Sequence, residues 1–301
     1  MVLLRFNKQI NEWDVVEKED KQEGDLYLDG FLKKKLDFAL KHQDKNNDVL
    51  GIIEGKEGTG KSSLAGNVMR YVTKDNFNPD TQMIGSDYDD ALKKISEAPH
   101  GSVLFFDEGN SFFMGTSTMT REHRDLHKVF SIFRQKNLFV IICLPSFLRL
   151  GTYFALDRSH FLLRTYVKGT QRGYFMYFGE KKKDQLYRVG KRDGYNKDAV
   201  RSNFRGRFTK CITLESKEYK SFKLKTLTAA INKARGIPDV EAPKPPTPEE
   251  VERAYRDKLI LANKELSSRE LSKVIGISHT MIANRRKALK QPLSLQEDDT
   301  K

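Results

Sequence analysis

Between residues 49 and 178, short apolar runs alternate with longer stretches in which apolar residues return every three or four positions. That is the pattern of a mainly parallel sheet covered by helices. Val49–Glu54 reads as a strand, Lys61–Thr73 as a helix, Gln82–Ile84 as a short strand and Asp87–Glu97 as a second helix. Ser102–Asp107 and Leu138–Leu144 are too apolar to have a solvent face, so both are expected near the centre of the sheet. Between them the spacing of Leu126, Val129, Phe130 and Phe133 predicts a helix from about Thr120 to Lys136. Phe161–Val167 and Tyr174–Phe178 read as a later strand and its hairpin partner. Upstream, Leu32, Leu36 and Leu40 stand at helical spacing within Gly30–Lys45, so residues 1–48 are expected to form a helical extension on the edge of the body. The stretch Lys181–Lys210 is strongly basic, and its pattern selects no element.

Five of the nine prolines, Pro238, Pro243, Pro245, Pro246 and Pro248, cluster after this body. They predict a stiff linker over 236–247 and hence a division into an α/β body (1–235), a second module (248–290) and a tail (291–301). The chain has 301 residues, which suits one large domain and one small one. Its 54 Lys and Arg outnumber 41 Asp and Glu, and a formal charge of +13 predicts attraction to a polyanion, either nucleic acid or an anionic membrane. Cys143 and Cys211 are the only cysteines, which excludes a disulfide framework or a Cys-rich zinc site and fits a reducing, cytoplasmic setting. Met1–Glu12 has no sustained apolar stretch, so neither a secretion signal nor a membrane span is expected there.

The chemistry is concentrated after the first strand of the body. Gly55, Lys56, Glu57, Gly58, Thr59, Gly60, Lys61 and Ser62 match the phosphate-binding loop G-x-x-x-x-G-K-[ST], with an apolar strand before it and a helix after it. The glycines let successive amides curl around phosphate oxygens, and the helix N-terminus that continues through Ser63 adds its positive end. Lys61 is expected to neutralise the β- and γ-phosphates of ATP, and Ser62 to take one position on Mg²⁺. Val103–Phe106 leads into Asp107 and Glu108, two carboxylates at the end of an apolar strand. Asp107 suits the Mg²⁺ shell, through water, and Glu108 suits polarisation of the attacking water, so hydrolysis is expected rather than binding alone.

Loop and acidic strand together resemble the additional-strand P-loop ATPases with a catalytic glutamate, over about Val49–Val167. The resemblance implies a RecA-like P-loop NTPase fold in which Leu138–Leu144 lies between the phosphate-loop strand and the acidic strand. It also implies a polar sensor at the end of that central strand, for which Ser146 is the nearest residue, and assembly of the protein with copies of itself, commonly as a ring. Among Arg121, Arg124, Arg134, Arg149 and Arg158, the resemblance favours Arg124 and Arg134 as the arginine that meets the γ-phosphate, since both lie on the helix before the central strand.

In the second module, Val251, Ala254, Leu259 and Ile260 mark one helix, and Ser267 with Glu270 forms a capping-box pair at the start of another. Gly276 permits a tight turn, Ile277 can plug the core and Ser278 can cap a last helix over His279–Leu289, with Met281, Ile282 and Leu289 facing inward. Ser267–Lys290 resembles the helix-turn-helix modules of site-specific recombinases and small regulators. The resemblance implies an all-α DNA-binding domain that presents His279, Thr280, Asn284 and Arg285 to a major groove, with Arg286, Lys287 and Lys290 against phosphates. A basic three-helix bundle that binds protein is the alternative.

The combined reading is an ATP-driven DNA-handling protein. Phe133–Ile142 resembles a stretch of DNA-pumping ATPases of the HerA/FtsK type and related viral or plasmid proteins, which implies a translocase or packaging motor of a virus, plasmid or other mobile element. Helicase-loader-like ATPases, zonular-occludens-toxin-like phage assembly ATPases and an ATP-switched DNA-binding regulator are the alternatives.

Overall fold

A computed structural model describes residues 2–85, 87–107, 109–113, 133–234 and 248–290, and the chain divides into two units, Met1–Pro245 and Pro246–Lys301. The first unit begins with three short strands, β1 (Val2–Asn7), β2 (Glu12–Val16) and β3 (Leu26–Leu28), paired antiparallel in the order β2-β1-β3. This corrects the expectation of a helical extension, which holds only for the helix Gly30–Gln43. Neither β1 nor β2 alternates apolar and polar positions cleanly. Their sheet is held instead by tertiary contacts, with Trp13 stacked on Tyr71 at 5.8 Å between ring centroids and its indole N–H donating to the Tyr71 carbonyl at 3.1 Å. The helix Gly30–Gln43 buries Leu32 and Leu36 as its spacing predicts, and the Asp29 carboxylate caps it by accepting from the amides of Phe31 and Leu32.

The remaining strands are β4 (Val49–Glu54), β5 (Met83–Ile84), β6 (Val103–Phe106), β7 (Phe139–Leu144), β8 (Phe161–Lys168), β9 (Gln171–Gly179) and β10 (Phe204–Arg207). They form one seven-stranded sheet in the order β10-β9-β8-β4-β7-β6-β5. From β5 to β8 every pairing is parallel, while β9 and β10 extend the sheet antiparallel. Every residue of β4, β6 and β7 is buried, which is why these strands read as unbroken apolar runs. β7 lies between β4 and β6, in register from Val49↔Phe139 to Glu54↔Leu144 on one side and from Val103↔Phe139 on the other. The additional strand therefore occupies the slot that the resemblance implies.

Helix Lys61–Val72 covers this sheet with Leu64, Ala65, Val68 and Met69, which join β4, β7 and β8 residues in the main core. The basic stretch that showed no pattern contains the helix Glu180–Arg192. Its Lys183 is fully buried and donates to the carbonyls of Ala155 and Ser159, at the end of the wide helical turn Tyr153–Arg158. A lysine spent on backbone carbonyls reads in the sequence as one more solvated charge, which hid the apolar face of Leu186, Tyr187 and Gly190. The expected helix Thr120–Lys136 lies mostly outside the described residues; its last part places Phe133 in the core.

The second unit is a set of three helices, Pro248–Ala262, Ser268–Ile275 and His279–Lys290, around Ile260, Leu271 and Ile282. Ser267 and Glu270 make both halves of the capping box, and Gly276 ends the middle helix at φ 73°, a left-handed conformation that a side chain would strain. Met281 is 57% exposed and so does not face inward, and Ile275, rather than Ile277, packs with Leu289 against the core. Among the described residues no helix is long and apolar enough to cross a membrane.

One titratable group is locked into the sheet. The His160 Nδ1 accepts the Leu50 amide at 3.1 Å while its own amide donates to the Leu50 carbonyl, and burial holds the imidazole below its ordinary value of 6.5, against the opposing pull of Asp48. Because the folded value lies below the unfolded one, this contribution is present above about pH 6.5 and is lost as pH falls through the folded value. The melting temperature followed by circular dichroism is expected to fall from pH 7.5 to 5.5. His160→Gln is expected to flatten that fall, and an identical pH profile would show that His160 is not its source.

Candidate nucleotide site

The loop leaves β4 at its C-terminal end, where the backbone must curl before it enters the helix. Gly58 and Gly60 take φ of 72° and 93° there, and Gly60 is the helix N-cap without any side-chain cap. The amides of Lys61, Ser62 and Ser63 have no carbonyl one turn back, so they are open to an anion. The Thr59 hydroxyl bonds the Lys56 carbonyl at 2.7 Å and the Thr165 hydroxyl at 2.7 Å, and Thr165 in turn donates to the Glu54 carbonyl at 3.1 Å. This knot of hydroxyls ties the loop to β8 and leaves no room for a side chain at Gly55. Lys61 folds back over the curl, its ammonium donating to the carbonyls of Gly55 and Lys56 at 3.0 Å each. Lys56, Glu57 and Gly58 are exposed along the rim.

The Ser62 hydroxyl donates to Asp107 Oδ1 at 2.7 Å, so the loop and the acidic strand meet. Asp107 is buried, and its second oxygen is ion-paired with Lys223 of the helix Lys217–Ala234. Tyr219, one turn earlier on that helix, is held against Ser62 with its phenol pushed up to about 12 by burial and then by Asp107. The hydroxyl and carboxylate oxygens of Ser62 and Asp107 are the hard donors that Mg²⁺ takes. Among the described residues no group of three His, Cys, Asp or Glu could hold a metal alone, so a cation held by Ser62 and Asp107 would need further ligands from outside that set. Lys223 would have to give way for it. Behind Asp107, burial raises the Cys143 thiol far above its ordinary value, leaving it a packing residue.

Other expected residues disperse. Glu108 and Arg124, with Arg121, lie outside the described residues. Ser146 sits half-buried just past β7, at the same end of the sheet as the loop. Its turn is fixed by Glu54, whose buried carboxylate accepts the Phe147 amide at 2.7 Å and the Arg164 guanidinium at 2.6 Å. Arg134 is exposed before the start of β7. The strand's six residues, at about 3.3 Å each, therefore separate it from its own loop. Arg158 is spent on an ion pair with Asp48, before β4. Two groups that the sequence did not single out border the loop: the Arg172 guanidinium lies beside Gly58, and the Phe208 ring packs on Gly60. Both come from the β8–β10 region, remote in sequence and without a motif.

In the three-helix unit, Arg285 forms a two-pronged pair with Asp257 at 2.7 and 2.6 Å, and Arg286 donates to the Asn263 carbonyl at 2.8 Å. These contacts correct the expectation that both arginines stand ready for DNA, because each fastens the last helix to the first. His279, Thr280, Asn284 and Lys287 are exposed.

A seven-stranded sheet with β7 between β4 and β6, a phosphate loop at the end of β4 and Asp107 at the end of β6 define an additional-strand P-loop fold. No protein-family model and no curated protein matches the chain. Among solved structures it is similar to the genome-packaging NTPase B204 of Sulfolobus turreted icosahedral virus 2 bound to ATPγS, at 11% identity over 45% of this chain and 94% of that one, with a TM-score of 0.35. It is similar to the N-terminal domain of zonular occludens toxin from Neisseria meningitidis (12% identity, 58% and 98% covered, TM-score 0.38). It is also similar to AMPPCP-bound DnaA from Aquifex aeolicus (12% identity, 88% and 89% covered, TM-score 0.33).

The close packing behind the loop gives a direct check. A Cβ at Gly55 would meet the Thr59 hydroxyl at 2.6 Å and crowd Thr165 further still. Gly55→Ala is expected to cost about 1–3 kcal/mol in denaturant melts, as overpacking does, and to weaken binding of a fluorescent ATP analogue. Unchanged melting and binding would show that the loop is not built this way.

Proposed function

We propose that the chain is an ATP-hydrolysing, DNA-handling protein. The observation that carries the ATPase part is the 2.7 Å hydrogen bond from Ser62 to Asp107, which joins the phosphate loop to the acidic strand at the one place where a nucleotide-bound cation needs both. In this reading the amides from Gly58 to Ser63 cradle the phosphates, and Lys61 exchanges the carbonyls of Gly55 and Lys56 for phosphate oxygens. Ser62 and Asp107 hold Mg²⁺, which when bound would neutralise phosphate charge. Glu108 follows Asp107 in sequence and orients the attacking water as its general base. Arg172, beside Gly58, is a described arginine that borders the loop and is assigned to the transferred phosphoryl group from its own chain, while Arg124 and Arg134 are assigned to a neighbouring copy in a ring. Ser146 is the polar group at the end of the additional strand.

The DNA part is supported by the charge of +13 and by the exposed His279, Thr280, Asn284 and Lys287 on the last helix of the second unit. Its sharper form is a motor that translocates or packages DNA. Lys61→Ala is expected to weaken ATP binding at least tenfold. Glu108→Gln is expected to retain binding while lowering turnover by about 10²-fold or more, the range of a lost general base. Added DNA is expected to raise the wild-type rate. Wild-type turnover in Glu108→Gln would overturn the hydrolytic assignment, and a rate indifferent to single and double strands would overturn the motor.

Lys223 favours a second reading, an ATP-gated switch. The helix that places this ammonium on Asp107 leads in sequence into residues 235–247 and thence to the second unit. Binding of Mg²⁺ with nucleotide then has to dislodge the start of that connection. Lys223→Ala is expected to lower, several-fold, the Mg²⁺ concentration that half-saturates nucleotide binding. An unchanged Mg²⁺ titration would remove Lys223 from the competition.

A further inference from the structure

The antiparallel end of the sheet has two unlike faces. On one, Phe161, Leu163, Phe175 and Tyr177 belong to the main core beneath the phosphate-loop helix. On the other, the pairings Tyr166↔Tyr174 and Tyr174↔Arg207 set two tyrosines and an arginine in one row across β8, β9 and β10. The next row brings Arg205 opposite Met176. Helix Glu180–Arg192 packs against β8 and β9, where Leu162 and Phe178 are fully buried. The rows above are uncovered: Tyr166, Tyr174 and Met176 are half-buried, and Arg205 and Arg207 are exposed. The Arg207 guanidinium lies over the Tyr174 ring at 5.1 Å, and the Tyr174 and Tyr166 rings are 5.6 Å apart.

Among the described residues, Arg172, Arg205 and Arg207 form no ion pair. Asp29, which packs against Gly206 from the core side, is buried and occupied in capping its helix. The face thus combines uncompensated guanidinium charge with standing aromatic rings. A polyanion answers the charge, and aromatic side chains answer unpaired bases, whose faces a duplex keeps stacked inside.

We propose that the open face of β8–β9–β10 is a platform for single-stranded DNA, with Arg205 and Arg207 on phosphates and Tyr166 and Tyr174 against bases. The proposal deepens the DNA-handling reading by placing a strand-binding surface on the ATPase body itself. It also connects the strand to the nucleotide. Tyr174 is two residues from Arg172, which lies beside Gly58, and β10 runs directly into Phe208, which packs on Gly60 and donates its amide to the Gly173 carbonyl at 2.8 Å.

The test uses the full chain and a fluorescein-labelled 30-mer of deoxythymidine, read by anisotropy across a salt series, with a 30-base-pair duplex as comparison. The paired variant Tyr166→Ala with Tyr174→Ala is expected to weaken binding of the single strand about tenfold or more, as lost stacking does, with a smaller effect on duplex. The phenylalanine pair is expected to retain it. Arg205→Gln with Arg207→Gln is expected to reduce the salt slope by about 1–2. The same losses are expected in a Lys61→Ala background, so the platform is tested whether or not ATP is hydrolysed. Wild-type affinity in both pairs, with melting temperatures unchanged, would overturn the proposal. So would an equal loss for duplex and single strand in the tyrosine pair, or arginine variants that alter only self-association or vesicle binding.

Discussion

Everything at the nucleotide site depends on one distance, the 2.7 Å between the Ser62 hydroxyl and the Asp107 carboxylate. Ser62 opens the helix that follows β4 and Asp107 ends β6, two strands separated by β7 and hence by about 10 Å of sheet. The first turn of helix Lys61–Val72 crosses that gap, because the helix packs over β7 and β6 as well as over β4. The contact therefore requires β7 to be straight, buried on both faces and in register with both neighbours. A shift of one residue in β7 would turn Ile141 and Cys143 to the opposite face of the sheet and undo their packing with the phosphate-loop helix. Gly51 serves the same end, since the Phe161 and Ile141 side chains occupy the space where its Cβ would be.

The charges around this contact are arranged for exchange. The Asp107 side chain is only 2% exposed, and a carboxylate so far from water is costly unless a cation or donor meets each oxygen. Ser62 meets one and Lys223 the other, while Lys61 rests on two backbone carbonyls that ask little of it. On the proposed reading a nucleotide with its cation would reverse the demand: Lys61 would gain phosphate, Asp107 would gain the cation, and Lys223 would lose this partner. Arrival of ligand and release of the helix Lys217–Ala234 at that point would then be two sides of one electrostatic exchange.

What was legible in the sequence follows from how local each signal is. The strand–loop–helix of residues 49–72 is written in consecutive residues, as are the apolar runs of β6 and β7, and the buried sheet matches them closely. The capping box at Ser267 is equally local. The pieces that escaped are those whose stability comes from partners distant in the chain. β1 and β2 fold because Tyr71 stands under Trp13, β10 because Gly206 fits between Phe175 and Asp29, and helix Glu180–Arg192 because Lys183 finds the carbonyls of Ala155 and Ser159. The same reasoning explains the site. Lys61, Ser62 and Asp107 announce themselves by motif, whereas Arg172, Phe208 and Lys223 reach it through three-dimensional neighbours that no spacing encodes. Arg285 and Arg286 failed in the opposite sense: their charge was plain, and Asp257 and the Asn263 carbonyl had already claimed it.

The loop's left-handed glycines give the β8–β10 end of the sheet a hold on the phosphate loop. Gly58 and Gly60 are positions where the backbone is permitted to curl but is not forced to by its own chemistry, so the curl is kept by what lies against it. Arg172 lies against one and Phe208 against the other, and the amide of Phe208 is tied to Gly173 beside Arg172. The two contacts are therefore joined into one clamp, set by the pairing of β9 with β10. A ligand on the outer face of those strands can bias the loop only by binding one arrangement of the clamp better than another. Arg207 and Tyr174 are directly opposite in that pairing, so a group held by both, as proposed for the single strand, would favour the arrangement in which the strands stay closed and the curl keeps its shape.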